Sequence, residues 1–315
     1  MNGFEIILPF LKPIEHLILD DAISEVMVNG HDHIFIEKAG FIEPVEGVSL
    51  GEKSLMVAVK NIARRLGDDI SESKPILDSR LPDGSRVAAV IPPCSVDGVT
   101  LTIRKFNARH FGVEELVQAG TLERWLANQL EGYVLARKNI LIAGSAGSGK
   151  TTLTNGILRE LAQLTPHDRV LVIEDTTELQ CSVANYVDLH TAGDVTMIDC
   201  LRACMRLQPT RIVVGEVRGA EAHAVLKAWN TGHPGGIATI HANDALSALT
   251  RLESLLTQSE EGQSMPHEFR CALIAEAIDL VVFIDEEPTT AAGRKVREVL
   301  LVSGYSNGKY TVEPV

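Results

Sequence analysis

The sequence predicts two domains: a smaller α+β domain over residues 1–109, and an α/β domain with a mainly parallel sheet over 121–315. Length is the first sign, since 315 residues exceed the roughly 100–200 usual for one domain. A second is that, from about residue 121, short apolar runs alternate with helical segments. That is how parallel strands joined by crossover helices and buried on both faces read. The third is a contrast: before residue 109 the strand-like runs alternate apolar and polar residues, as half-exposed strands do.

The chain opens with an apolar run over 6–11, broken early by Glu5, Lys12 and Glu15. It lacks the basic flank and small-residue cleavage signal of a secretory leader. No stretch reaches the roughly 18 apolar residues that a bilayer span needs. A cytoplasmic protein, at most peripheral at an inner membrane, is therefore expected. Runs 24–28 and 34–37 flank Asn29 and Gly30, a hairpin signal. Residues 50–66 carry helical spacing at Leu55, Val57, Val59, Ile62 and Leu66, and Gly67 supplies the C-cap. Two further strands are expected at 86–91 and 99–106, with Asp83 and Gly84 turning into the first. Pro92 and Pro93 block a helix between them. The domain boundary is expected near 109–112, with 110–120 as linker.

In the second part, strands are expected at 139–143, 169–173, 211–214, 236–241 and 279–284. Runs 298–302 and 309–312 read as an antiparallel edge hairpin closing the sheet. The first of these strands runs into Gly144, Ser145, Ala146, Gly147, Ser148, Gly149, Lys150 and Thr151, a full G-x-x-x-x-G-K-[ST] motif. A helical segment beginning at Thr152 follows. Strand, loop and helix in that order make a nucleotide phosphate site. Glycines let successive N–H groups face phosphate oxygens, and the helix N-terminus adds favourable charge. Lys150 would reach the β- and γ-phosphates, and the Thr151 hydroxyl would ligate Mg²⁺.

Ligands of a parallel α/β sheet sit outside the strands' carboxyl ends. Two strands deliver acids there: one ends in Glu174, Asp175, Thr176, Thr177 and Glu178, the other in Gly215 and Glu216, followed by Arg218. One carboxylate is needed to hold Mg²⁺ and one residue to orient the attacking water. His241 ends a fourth strand, where its imidazole faces either the γ-phosphate or a catalytic carboxylate, or is simply structural. His31 and His33 lack the further ligands of a zinc site. Arg202 and Arg206 share one helix face, as inter-subunit sensors or ordinary surface residues. Cys200 and Cys204, at the same spacing, are expected in the core.

Composition narrows the classes further. A net charge of −13, with both parts acidic and no Lys/Arg block, counts against sequence-specific nucleic-acid binding, which needs clustered positive charge. Five cysteines without a Cys-x-x-Cys pair exclude a disulfide scaffold and a four-cysteine zinc element.

The phosphate loop, the acidic box 173–178, the stretch 200–209, the strand 214–218 and the histidine stretch 231–242 together resemble the type II/IV secretion ATPase family over roughly residues 20–285. Within it the chain is most similar to the conjugal-transfer ATPases of type IV secretion, on residues 228–236. The tight-adherence (Flp) pilus ATPases come a close second, on 25–30 and 81–86. The resemblance implies a hexameric ring that hydrolyses ATP with Mg²⁺, bound between the N-terminal domain and a RecA-like C-terminal domain. The ring would power a conjugative or secretion machine together with inner-membrane components. It assigns the catalytic carboxylate to Glu178, with Glu174 as the competing choice, and the Walker B role to Glu216, acting on Mg²⁺ through water. His241 falls in the histidine box, with His233 as a second candidate, and Arg86 and Arg104 match the γ-phosphate arginines of the N-terminal domain. Thr210 stands where many relatives carry Asp. Two other classes stay open: a nucleotide-dependent switch or docking module without steady turnover, and a RecA-like nucleic-acid translocase, which the acidic composition opposes.

Overall fold

The computed structural model describes residues 3–38, 41–106 and 111–315. The chain divides into two compact units, Met1–Arg109 and His110–Val315. The boundary expected at 109–112 falls partly outside the described residues.

In the first unit, short 3-10 turns precede α1 (Glu15–Leu19), β1 (Ile23–Asn29), β2 (His33–Lys38), β3 (Phe41–Val45), α2 (Glu52–Arg65), β4 (Ile76–Arg80), β5 (Arg86–Val90) and β6 (Thr100–Arg104). The strands form one antiparallel sheet in the order β3-β2-β1-β6-β5-β4. The leader-like run buries Ile7 and Leu11 in this unit's core. Along α2, Leu55, Ala58, Val59, Ile62 and Ala63 are buried, whereas Val57 is 57 % exposed. Positions two apart do not share a helix face, so Leu55 and Val57 cannot both point inward. The edge strands β3 and β4 were not legible in the sequence. Phe41 and Ile42 point to solvent, and β4 commits only Leu77 fully to the core.

The second unit runs α3 (Val113–Gln118), α4 (Arg124–Leu135), β7 (Ile140–Gly144), α5 (Lys150–Leu164), β8 (Arg169–Glu174), β9 (Asn185–His190), α6 (Met197–Cys204), β10 (Arg211–Val214), α7 (Glu221–Asn230) and β11 (Ile237–His241). It continues through α8 (Ala245–Leu256), α9 (Glu260–Ser264), α10 (His267–Ala277), β12 (Leu280–Glu286), β13 (Arg294–Ser306) and β14 (Lys309–Pro314). The sheet order is β14-β13-β12-β7-β11-β10-β8-β9. It is mixed: β12 through β9 run parallel, while β13 and β14 are antiparallel.

Strand alternation builds two cores. Leu141, Ala143, Leu171, Ile173, Ile212 and Val214 face α6, α7, α8 and α10, with Cys200 and Cys204 among them. Ile140, Ile142, Val170, Val172 and Val213 face α3, α4 and α5. A residue on one face is followed by one on the other, which is why these strands read as unbroken apolar runs. The stretch 110–120, expected as linker, instead carries α3, with Val113 and Leu116 buried in the second core. Gly156 makes room for it, since a Cβ there would lie 2.7 Å from Leu116 Cδ1.

Candidate functional site

The carboxyl ends of β7, β8, β10 and β11 lie side by side, and the predicted phosphate loop leaves the first of them. Gly147 and Gly149 have φ of +74° and +97°, in the left-handed region that other residues avoid. Gly144 has no space for a Cβ, which would meet the Ile284 carbonyl oxygen at 2.3 Å. The loop is thus a bare backbone cradle leading into α5, whose first turn carries Lys150, Thr151 and Thr152. Its N–H groups have no intrahelical partners and suit an anion.

Lys150 is 8 % exposed. Its Nζ donates to the carbonyls of Gly144 and Ser145 at 3.0 and 2.7 Å and lies 3.3 Å from His241 Nδ1. Burial lowers its pKa, against the opposing pull of Glu216 and Glu178. Thr151 Oγ1 donates to Glu178 Oε2 at 3.0 Å. One turn along α5, Asn155 donates to the Glu178 carbonyl and accepts from the Gln180 N–H, at 3.1 and 2.8 Å. The helix that starts the phosphate site therefore also clamps the acidic segment. Hydroxyl and carboxylate oxygens side by side fit a Mg²⁺ ion, which takes oxygen donors and keeps several waters.

The two box glutamates differ sharply. Glu174 is 2 % exposed. Its Oε1 accepts the Glu178 and Leu179 N–H groups at 3.1 and 3.0 Å, and its Oε2 is buried without a hydrogen-bond partner among the described residues. Burial pushes its carboxyl up to about 8, against the pull of those two amides. Glu174 thus shapes the turn that presents Glu178. Gly215, just past the end of β10, permits it, because a Cβ there would lie 2.9 Å from Glu174 Cγ.

Glu216 stands between Arg218 and His241. Arg218 Nη2 donates to its Oε2 at 2.7 Å while Nη1 donates to Asp175 at 2.7 Å, and His241 Nε2 stands 3.0 Å from its Oε1 as an ion-pair contact. Beside Ser145 and His241, a cleft of about 570 Å³ opens, lined also by Asn243, Ser247 and Arg251.

Lys150, Thr151, Glu174, Glu178, Glu216 and His241 thus converge at one end of one sheet. His233 does not: its Nδ1 contacts the Pro209 carbonyl at 2.8 Å, ahead of β11, whereas His241 ends that strand. Thr210 is structural, exchanging hydrogen bonds with the Arg169 backbone at 2.6 and 2.9 Å. Arg202 and Arg206 are exposed. Arg86 and Arg104 lie in the first unit, directly opposite one another on β5 and β6. Sequence reasoning gave no role to Asn155, although its position four after Thr151 places both on one helix face. Arg218 was seen only as a neighbour of Glu216, since its contact with Asp175 depends on adjacent strands.

A family model described as "Type II/IV secretion system protein" matches residues 10–286. The chain is 40% identical over 297 residues to the conjugal transfer protein TrbB of Rhizobium radiobacter, covering 94% of this chain and 88% of that protein. It is 31% identical to the type IV secretion system protein VirB11 of Bartonella quintana, covering 88% of each. Among solved structures it resembles the VirB11 ATPase from the Brucella suis type IV secretion system, at 30% identity and a TM-score of 0.52 over 95% of both chains. The Legionella pneumophila ATPase DotB shares the fold, with a TM-score of 0.67 at 23% identity, covering 94% of this chain and 81% of that one.

Proposed function

The chain belongs to the type II/IV secretion system protein family, and from that premise we propose that it hydrolyses ATP to drive a conjugative or type IV secretion machine. It works as a ring of six copies beside that machine's inner-membrane components, with the second unit as a RecA-like motor domain. The single observation that carries this reading is the meeting of the Lys150 loop, the Thr151–Glu178 pair and the Glu216–His241 pair at one sheet end. No described helix is long and apolar enough to cross a membrane.

Loop amides and Lys150 bind the β- and γ-phosphates. Thr151 and a neighbouring carboxylate would hold Mg²⁺, directly or through water, where it would supply positive charge against the phosphates. Glu178 orients a water and accepts its proton as the water oxygen bonds to the γ-phosphorus. The bond from that phosphorus to the bridging oxygen breaks, and ADP leaves with the electron pair. Glu174, buried and protonated near neutral pH, is a positioning residue for Glu178. Arg104 is the better choice for the γ-phosphate arginine, because Arg86 already gives two hydrogen bonds to Asp78 at 2.7 and 2.5 Å. Phosphate release from MgATP by the full chain, with its mass in solution, tests the proposal. Sustained turnover by a hexamer supports it; stoichiometric binding without turnover would leave a switch instead.

A further inference from the structure

Away from the phosphate loop, three donor side chains of the second unit converge on one point. Glu253 comes from α8, while His267 and Cys271 stand one turn apart on α10 and so leave the same helix face. His267 Nε2 lies 3.0 Å from Glu253 Oε1 and 3.8 Å from Cys271 Sγ. All three donor atoms fall within 4.8 Å of one another.

The same imidazole nitrogen faces both the carboxylate and the sulfur. A thiol–imidazole–carboxylate relay uses the two opposite ring nitrogens, one for each neighbour. Cys271 is also only 1 % exposed, closed to any substrate carbonyl. The cluster is therefore not a nucleophilic triad. Donors facing one common point are what a metal ion takes. Zinc bonds of about 2.3 Å to sulfur and 2.0–2.2 Å to nitrogen and oxygen set tetrahedral donors roughly 3.3–3.6 Å apart, a range that the His267–Glu253 and His267–Cys271 separations of 3.0 and 3.8 Å bracket.

Charge agrees with this. Thiolate and carboxylate would bring two negative charges, and Arg270 Nη2 approaches Glu253 only to 3.9 Å. Arg270 Nη1 is committed to the Met265 and Gly262 carbonyls. The buried Tyr310 hydroxyl neighbours the Cys271 thiol. Its ring stands edge-on to Tyr305 at 5.1 Å, and Tyr305 stands edge-on to His267 at 6.4 Å, so an aromatic wall closes one side. On the other side His267 is 58 % exposed and gives an ion access.

We propose that Glu253, His267 and Cys271 form a tetrahedral site for a divalent ion of the zinc class, separate from the nucleotide's Mg²⁺, with a water or the Tyr310 hydroxyl as fourth ligand. Thiolate and imidazole select such an ion over Mg²⁺ or Ca²⁺, which prefer all-oxygen sites. A bound ion would tie α8, whose residues Ser247 and Arg251 line the cleft beside the phosphate loop, to α10.

The test uses the full-length chain stripped with a chelator. Zinc alone is titrated in by calorimetry, and cobalt(II) is added separately to read the thiolate-to-metal charge-transfer band in the near ultraviolet. One ion per chain, a charge-transfer band and a higher melting temperature with zinc are expected. Cys271→Ser should abolish the band. His267→Gln, at an exposed position that the fold tolerates, should weaken binding by about tenfold or more. A band that survives Cys271→Ser, zinc binding unchanged in His267→Gln, or no binding at all would overturn the site.

Discussion

The Lys150 ammonium and His241 Nδ1 lie 3.3 Å apart. An ammonium only donates, so Nδ1 is the acceptor in this contact, and Nε2, on the other side of the ring, lies 3.0 Å from Glu216 Oε1. Lysine, imidazole and carboxylate thus stand side by side near the carboxyl ends of β7, β11 and β10. A phosphate that draws Lys150 forward changes what His241 and Glu216 face. His241→Gln should therefore lower kcat by roughly 10²-fold while leaving the KM for ATP within about threefold, in steady-state phosphate release. An unchanged kcat would remove His241 from the mechanism.

Lys150→Ala should abolish hydrolysis in a folded protein. The side chain is buried, but its hydrogen bonds go to two carbonyls of its own loop and to His241, and no core cluster loses a member. Circular dichroism and retention volume should match those of the parent. Wild-type turnover in this variant would contradict the assignment of the site.

The phosphate loop was legible because its chemistry sits in eight consecutive residues, 144–151, between a strand and a helix that both announce themselves. The choice between Glu174 and Glu178 was not. It depends on Gly215 just past the neighbouring strand, which leaves room for Glu174 to bury, and on Thr151 and Asn155 of α5, which hold Glu178. His233 and His241 share one motif stretch, yet β11 separates them, and a strand rising about 3.3 Å per residue carries them to opposite ends of the sheet. The missed strands β3, β4 and β9 are all sheet edges. An edge strand buries few side chains and leaves a weak apolar signal.

Glu174→Gln and Glu178→Gln should behave oppositely. Glu178→Gln should bind MgATP and fail to hydrolyse it, whereas Glu174→Gln should keep much of the activity, since an amide oxygen can still accept the Glu178 and Leu179 N–H groups. If Glu174→Gln is the inactive variant and Glu178→Gln turns over, the roles are reversed.

Glu174 also shapes stability. Its carboxyl is raised from 4.5 to about 8, so between those values the folded state holds a proton that the unfolded state has lost. Stability must then fall as pH rises through that window, by about 1.4 kcal/mol per pH unit at most from this one group. Glu174→Gln should flatten the slope in urea unfolding without nucleotide. An identical slope in the variant would show that Glu174 is ionised when folded.

At the opposite end of the sheet, Arg211 is 1 % exposed. Its Nε donates to Asp168 at 2.6 Å and its Nη2 to the Val134 carbonyl at 2.8 Å, and Arg137 also pairs with Asp168. Burial pushes the Asp168 carboxyl up, but hydrogen bonds from Arg211 and Thr165 and the two guanidinium charges hold it below its usual 3.8. A lowered folded pKa gives stability that is present above the unfolded value and lost as pH falls through the folded one. Asp168→Asn should cost about 3–5 kcal/mol near neutral pH by leaving Arg211 buried without its counter-charge. The difference from the parent should shrink in acid, below the ordinary carboxylate range. A cost under about 1 kcal/mol by denaturant unfolding would mean that the pair contributes little.

The arginines of the first unit give the last prediction. Arg104 and Arg86 face each other on β6 and β5, and Glu25 stands across from Arg104 on β1. Arg86 is held by Asp78 in a two-bond fork, so moving it to a phosphate means giving up both hydrogen bonds. Arg104 is exposed on the same sheet face, and closure of a head-to-tail ring would bring such a residue to a nucleotide of its own or a neighbouring copy. An arginine acting on transition-state charge is worth roughly 10³–10⁵ in rate where it has been measured. Arg104→Ala should therefore cut turnover by at least about a hundredfold while ATP affinity stays within about tenfold, or ~1.4 kcal/mol. Arg86→Ala should act mainly by freeing Asp78, with a smaller loss of rate. Turnover by the parent should rise faster than linearly with protein concentration through the assembly range. Linear dependence from nanomolar upward, with a monomeric mass by light scattering in ATP, would remove ring closure from the mechanism.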